Sequence, residues 1–155
     1  MIFLNNFSKD QIGEIFSNVL SDTITTTTGL SLEIIDEDES FDELIGLITL
    51  NGNNHGMIIV SASYDTIRTL SAEMTGTLRN EVTLNDIYDT LCELVNITAG
   101  NAKLRFNIAE DIYVLSPPFI IHGKEMSIIT KNRIDFISRT LKGDDLTIKL
   151  KVIFY

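Results

Sequence analysis

The chain has 155 residues, 44% of them apolar, with 22 acidic against 12 basic side chains and a formal net charge of −10. That length and apolar share fit one domain, residues 1–155, large enough for a core of its own. The negative charge argues against direct nucleic-acid binding, which needs a basic footprint to displace counterions, and against docking on an anionic membrane. Cys92 is the lone cysteine, so an internal disulfide is excluded and a reducing compartment fits. Residues Met1 to Asn6 lack the basic and long apolar regions of a secretory signal. No apolar run approaches the roughly 18 residues of a membrane span. A cytoplasmic location is therefore expected.

Ser8 is a suitable N-cap for a first helix, and Ile12, Ile15, Phe16, Val19 and Leu20 follow at helical spacing. The β-branched run Thr25–Thr28 is expected to fade that helix, and Gly29 to turn the chain. Leu30 to Ile35 reads as a strand, and the acidic stretch Asp36 to Ser40 as a solvated loop. Leu44 to Leu50 and Met57 to Ala62 read as a hairpin around Asn51-Gly52-Asn53-Asn54-His55-Gly56. A second helix should follow Ser63 and end near Gly76. A third should start near Thr83 or Asn85 and run to about Phe106. The remainder reads as strands: Ile112 to Leu115, Phe119 to Ile121, Met126 to Thr130, Arg133 to Leu141 and Leu146 to Phe154. Pro117-Pro118 marks a strand bend or edge, and Gly143-Asp144-Asp145 a hairpin turn. This order predicts an α+β domain, a largely antiparallel sheet with long helices packed on one face. A faint internal repeat is visible: each half is led by a long helix, and His55-Gly56 has a later echo in His122-Gly123.

The third helix carries the chemistry. At about 100° per residue from Asp89, the residues Ile87, Leu91, Leu94, Val95, Thr98 and Ala102 gather on the far side as a buried face. Asp89, Glu93, Asn96, Gly100 and Lys103 fall within about 40° of one line on the other side. A polar stripe belongs to any amphipathic helix, but asparagine is a mediocre helix former and glycine a poor one, costing about 1 kcal/mol against alanine. A missing side chain at Gly100, one turn beyond Asn96, lets another backbone approach. The stripe thus reads as a contact surface. Elsewhere the candidates are weak. His55 and His122, without nearby cysteines, make a poor metal site, so none is expected. There is no nucleophile elbow and no Walker-type phosphate loop.

Asp89-x-x-x-Glu93-x-x-Asn96 matches the signature of the CheC/CheX/FliY phosphatases, and Ala99-Gly100-Asn101-Ala102-Lys103 resembles the continuation in CheX-like members. The hairpin Leu44 to Ala62 and the segment Ser116 to Gly123 resemble the strands that flank the CheX helices, so the likeness spans roughly Leu44 to Tyr155. CheC-like members carry two copies of the motif. Here the first helix offers Asp10-x-x-x-Glu14-x-x-Ser17, with Asn18 one place late and rotated by about 100°. A single-site, CheX-like protein with a CheC-like fold is implied.

The resemblance implies a phosphatase acting on the aspartyl phosphate of a CheY-like receiver domain. Asn96 would orient the attacking water, and Glu93 would pair with the receiver's active-site lysine. Asp89, Gly100 and Lys103 would bound the docking surface. No cofactor of its own is implied; the Mg²⁺ belongs to the receiver. A homodimer joined through sheet edges is also implied, for which the C-terminal strand Leu146 to Phe154 is one candidate. An acidic chain meeting an acidic receiver site gains little from long-range steering, which leaves recognition to local complementarity and the partner's Mg²⁺. The competing class is a non-catalytic CheX-like adaptor that binds a receiver or partner subunit without turnover.

Overall fold

The computed structural model describes residues 7–36, 40–52, 55–106, 113–129 and 135–155. Helix α1 spans Lys9–Thr28, closed at its start by a capping box between Ser8 and Gln11. It does not fade at the threonines. The hydroxyls of Thr23, Thr27 and Thr28 donate to the carbonyls of Val19, Thr23 and Ile24 at 2.8, 2.7 and 2.6 Å. These bonds, four residues back, satisfy the hydroxyls without strengthening the helix; what carries it on to Thr28 is the burial of Thr23 and Ile24 in the core. Gly29 then ends the helix with φ +76° and donates its N–H to Thr25 O.

The strands are β1 (Glu33–Ile35), β2 (Leu44–Gly52), β3 (Gly56–Ala62), β4 (Tyr113–Leu115), β5 (Phe119–His122), β6 (Asp135–Gly143) and β7 (Leu146–Phe154). Helix α2 spans Tyr64–Thr75 behind the N-cap Ser63, and α3 spans Leu84–Arg105 behind the N-cap Thr83. Residues Met126 to Ile129 form no strand; Thr130 of that expected strand lies outside the described residues, as do Ile112, Arg133 and Ile134 of two others. The first strand is shorter than expected, beginning at Glu33 and not at Leu30.

Among the described residues the strands form one antiparallel sheet in the order β1-β6-β7-β3-β2-β4, with β5 also on β2. The order is symmetric about the β3–β7 pair, which runs from Gly56↔Phe154 to Ala62↔Ile148. Each half supplies a helix, a leading strand and a hairpin. Each leading strand sits on the hairpin of the other half: β1 on β6, and β4 with β5 on β2. The sequence repeat is therefore a repeat of topology. The echo at His122-Gly123 is not: His122 closes the edge strand β5 and no strand follows among residues 123–129.

β4 and β5 act as one interrupted edge strand. Ser116 bridges the break, with its N–H on Thr49 O at 3.0 Å and its Oγ accepting from Thr49 N at 2.9 Å. Pro117-Pro118 occupies the gap, where a missing N–H costs no ladder bond.

The main core lies between the sheet and the helices. Ile48, Ile58, Val60, Ile148, Leu150 and Val152 meet Leu20, Ile24, Leu91, Leu94 and Val95 there. On the other face, Ile45, Leu47, Ile59 and Ile153 form a smaller cluster with Phe41 and Met126 against it. Lys149 and Lys151 also lie on that face, and both are buried. Lys149 Nζ donates to Ser40 O at 2.6 Å, and the Lys151 ammonium sits 4.7 Å from the Phe41 ring centre.

Candidate functional site

α3 is fixed at its start and along its back. Thr83 Oγ1 accepts from Asp86 N at 3.2 Å, while Thr83 N donates to the Asp86 carboxylate at 2.7 Å. Thr83 Oγ1 also donates to that carboxylate at 2.6 Å, and this bond, then the one from the Thr83 backbone, holds the Asp86 carboxyl below the usual carboxylate range. Ile87, Leu91, Leu94, Val95, Thr98 and Ala102 are all buried, as the helical wheel predicts, joined by Thr90 and Ala99. Against the sheet, α3 comes close enough to β2 that a Cβ on Gly46 would lie 2.8 Å from Leu91 Cγ. Glycine at that position sets the depth at which the helix rests.

The opposite face is open. Asp89, Glu93 and Asn96 are exposed, and Gly100 and Lys103 are half-buried. Neither the Glu93 carboxylate nor the Asn96 amide hydrogen-bonds to any described residue. The two stand one turn apart, about 4.5 Å along the axis. They form a carboxylate and an amide side by side on a rigid support, free to meet a group from outside. Lys103 differs: its Nζ donates to Tyr113 O at 2.6 Å, tying the last turn of α3 to β4. Cys92, beside the stripe, is half-buried, and burial followed by the nearby Asp89 charge pushes its thiol up. Both effects disfavour the thiolate, the reactive form.

The first-helix copy is put to other uses. Asp10 points to Arg139 Nη2 at 3.5 Å, an arginine that also pairs with Asp36 at 3.0 Å and lies across Gly13. Ser17 is buried and donates to Gly13 O at 2.7 Å. Asn18 is half-buried.

Among the described residues no three of histidine, cysteine, aspartate and glutamate lie close enough to hold a metal ion. His55 stacks on Tyr155 and His122, on β5, packs near Tyr88 of α3. No described helix is long and apolar enough to cross a membrane. Leu104 and Val114 went unnoticed in the sequence, although they are 72% and 64% exposed beside the stripe. Leu104 falls about 60° from the stripe's line on the wheel, out of phase with the buried face, which is the signal that marks it.

A sheet with this symmetric strand order, backed by long helices, one of which presents the D-x3-E-x2-N stripe to solvent, defines the class of CheC-like proteins. The family model for the chemotaxis phosphatase CheX matches residues 44–142. The chain belongs to that family of phosphatases. In fold it is similar to CheX from Vibrio vulnificus (TM-score 0.80, 17% identity, covering 96% of this chain and 99% of that one). It is likewise similar to CheX in the CheX–CheY–BeF3–Mg²⁺ complex from Borrelia burgdorferi (TM-score 0.72, 16% identity, covering 91% and 96%). FliY from Thermotoga maritima is a further likeness (TM-score 0.61, 15% identity, covering 94% and 88%). A comparison with curated proteins found no match.

Proposed function

We infer that the chain is a phosphatase of protein aspartyl phosphate that acts on a CheY-type receiver, with Glu93 and Asn96 as the groups inserted into the receiver's site. One observation carries this reading: an amide and a carboxylate, a turn apart, stand exposed and without a described hydrogen-bond partner on a helix buried along its whole back. The acyl phosphate is itself reactive, so the enzyme gains most by placing a water in line with the phosphorus. The Asn96 amide accepts from that water with its oxygen and donates to it or to a phosphoryl oxygen with its nitrogen, with no change of protonation. Glu93 offers its carboxylate to the receiver's lysine and so fixes the helix in the cleft. Mg²⁺ belongs to the receiver, whose site would hold it with carboxylates.

The same reading makes the chain a cytoplasmic homodimer joined through a sheet edge. β7 is not that edge, because β6 and β3 occupy both its sides. β5 suits the role better: Phe119 and Ile121 are each 45% exposed at the border of the sheet.

The test is turnover. One protein per hundred phosphorylated receivers should discharge them all well before they would lose the phosphoryl group unaided, if the chain is an enzyme. A stoichiometric effect only would favour the adaptor and contradict this reading.

A further inference from the structure

Gly100 faces the same way as Asn96, about 6 Å further along the helix. Other glycines have a local reason: a Cβ at Gly46, Gly56 or Gly143 would meet another atom at 2.8, 2.8 or 2.6 Å, and Gly29 and Gly76 have positive φ. At Gly100 a Cβ meets no described atom within 4 Å. Nothing described in the chain requires glycine there, and the helix is weaker for it. Beside Gly100 a groove of about 520 Å³ opens between α3 and β4. Leu104 and Val114 wall it, both largely exposed. The Lys103 ammonium crosses it to the Tyr113 carbonyl and adds positive charge to an otherwise acidic molecule.

We propose that this groove is the selectivity contact of receiver docking: it seats an apolar side chain and the adjoining backbone of the receiver and sets affinity, while the chemistry stays with Glu93 and Asn96. The inference rests on the phosphatase reading. The receiver is the occupant because the groove continues the stripe that bears Asn96, so a partner that reaches Asn96 lies over Gly100.

The test compares Gly100→Ala, Leu104→Ser and Val114→Ser with the unaltered chain. CheY-type receivers phosphorylated by acetyl phosphate serve as substrate, and the same receivers charged with beryllofluoride and Mg²⁺ serve as the binding probe. Gly100→Ala should raise Tm by about 2–4 °C, because alanine favours the helix and meets nothing. It should also raise KM at least about threefold, because the new methyl group holds the receiver off. The two serine variants should weaken binding about three- to tenfold as apolar contact is lost, with kcat within about twofold of the unaltered chain. An unchanged KM in all three variants overturns the proposal. So does a shift in sedimentation mass on Leu104→Ser without a change in KM, which would assign the groove to a second copy of the chain. Asn96→Ala run in parallel separates the two ideas. Full turnover by that variant sinks the phosphatase mechanism itself, whereas lost turnover beside unmoved KM values sinks the groove alone.

Discussion

Ser17 and Asn96 hold the same place in the repeated motif of α1 and α3, yet Ser17 is buried with its hydroxyl on Gly13 O at 2.7 Å while Asn96 is exposed. The fold repeats; the chemistry does not. An amide at position 17 would enter the core instead of reaching solvent. Ser17→Asn should therefore destabilise the chain by about 1–3 kcal/mol through overpacking, measured by urea unfolding. It should add no second site, and a doubling of turnover would contradict this account of α1.

The close approach of α3 to β2 at Gly46 gives a second prediction. Gly46→Ala places a methyl group 2.8 Å from Leu91 Cγ, and the helix must lift. A loss of about 1–3 kcal/mol in urea unfolding is expected. Turnover should fall with it, since the stripe rides on the same helix.

Thr83 and Asp86 give a third. Thr83→Ala removes the side-chain cap of α3 and should cost about 1 kcal/mol. The pH dependence follows from the lowered carboxyl of Asp86. A carboxylate with its folded pKa below the unfolded one adds stability above the usual carboxylate range, and loses it as pH falls through the folded value. The gap in Tm between Thr83→Ala and the unaltered chain should thus be wide at neutral pH and narrow on acidification below about pH 4. A gap constant with pH would contradict the bond from Thr83 Oγ1 to the Asp86 carboxylate.

The raised Cys92 thiol gives a fourth. Burial, then the charge of Asp89, disfavours its thiolate, so alkylation by iodoacetamide at pH 7.5 should run several-fold slower than for free cysteine. Asp89→Asn should speed it modestly. A rate equal to free cysteine would show the thiol to be more open than described.

Much of α3 was legible in advance because its signals are local. Thr83 and Asp86 mark its start, and the period of Ile87, Leu91, Leu94, Val95, Thr98 and Ala102 marks its back. β7 was harder to place. The resemblance makes it one candidate for a dimer edge, and its own residues do not say whether strands flank it. In the fold both its lysines are buried, Lys149 against Ser40 O and Lys151 near Phe41, and strands pair on either side. Strand neighbours are set by pairings between distant segments, which no local pattern records. The threonine run of α1 misleads for a similar reason: propensity disfavours a helix there, but the burial of Thr23 and Ile24 against distant elements carries it on. At the site, Glu93 and Asn96 stood out by spacing and type, whereas the Leu104–Val114 groove needed β4 to be set beside α3.

The most direct measurement follows phosphoryl loss from a phosphorylated receiver with the Asn96→Ala protein at catalytic concentration, beside binding of the same variant to the beryllofluoride-charged receiver. The account predicts that turnover falls at least about a hundredfold, the order seen when a positioned polar group is removed from a transition state, while binding weakens by less than about tenfold. Turnover within about threefold of the unaltered chain would contradict it.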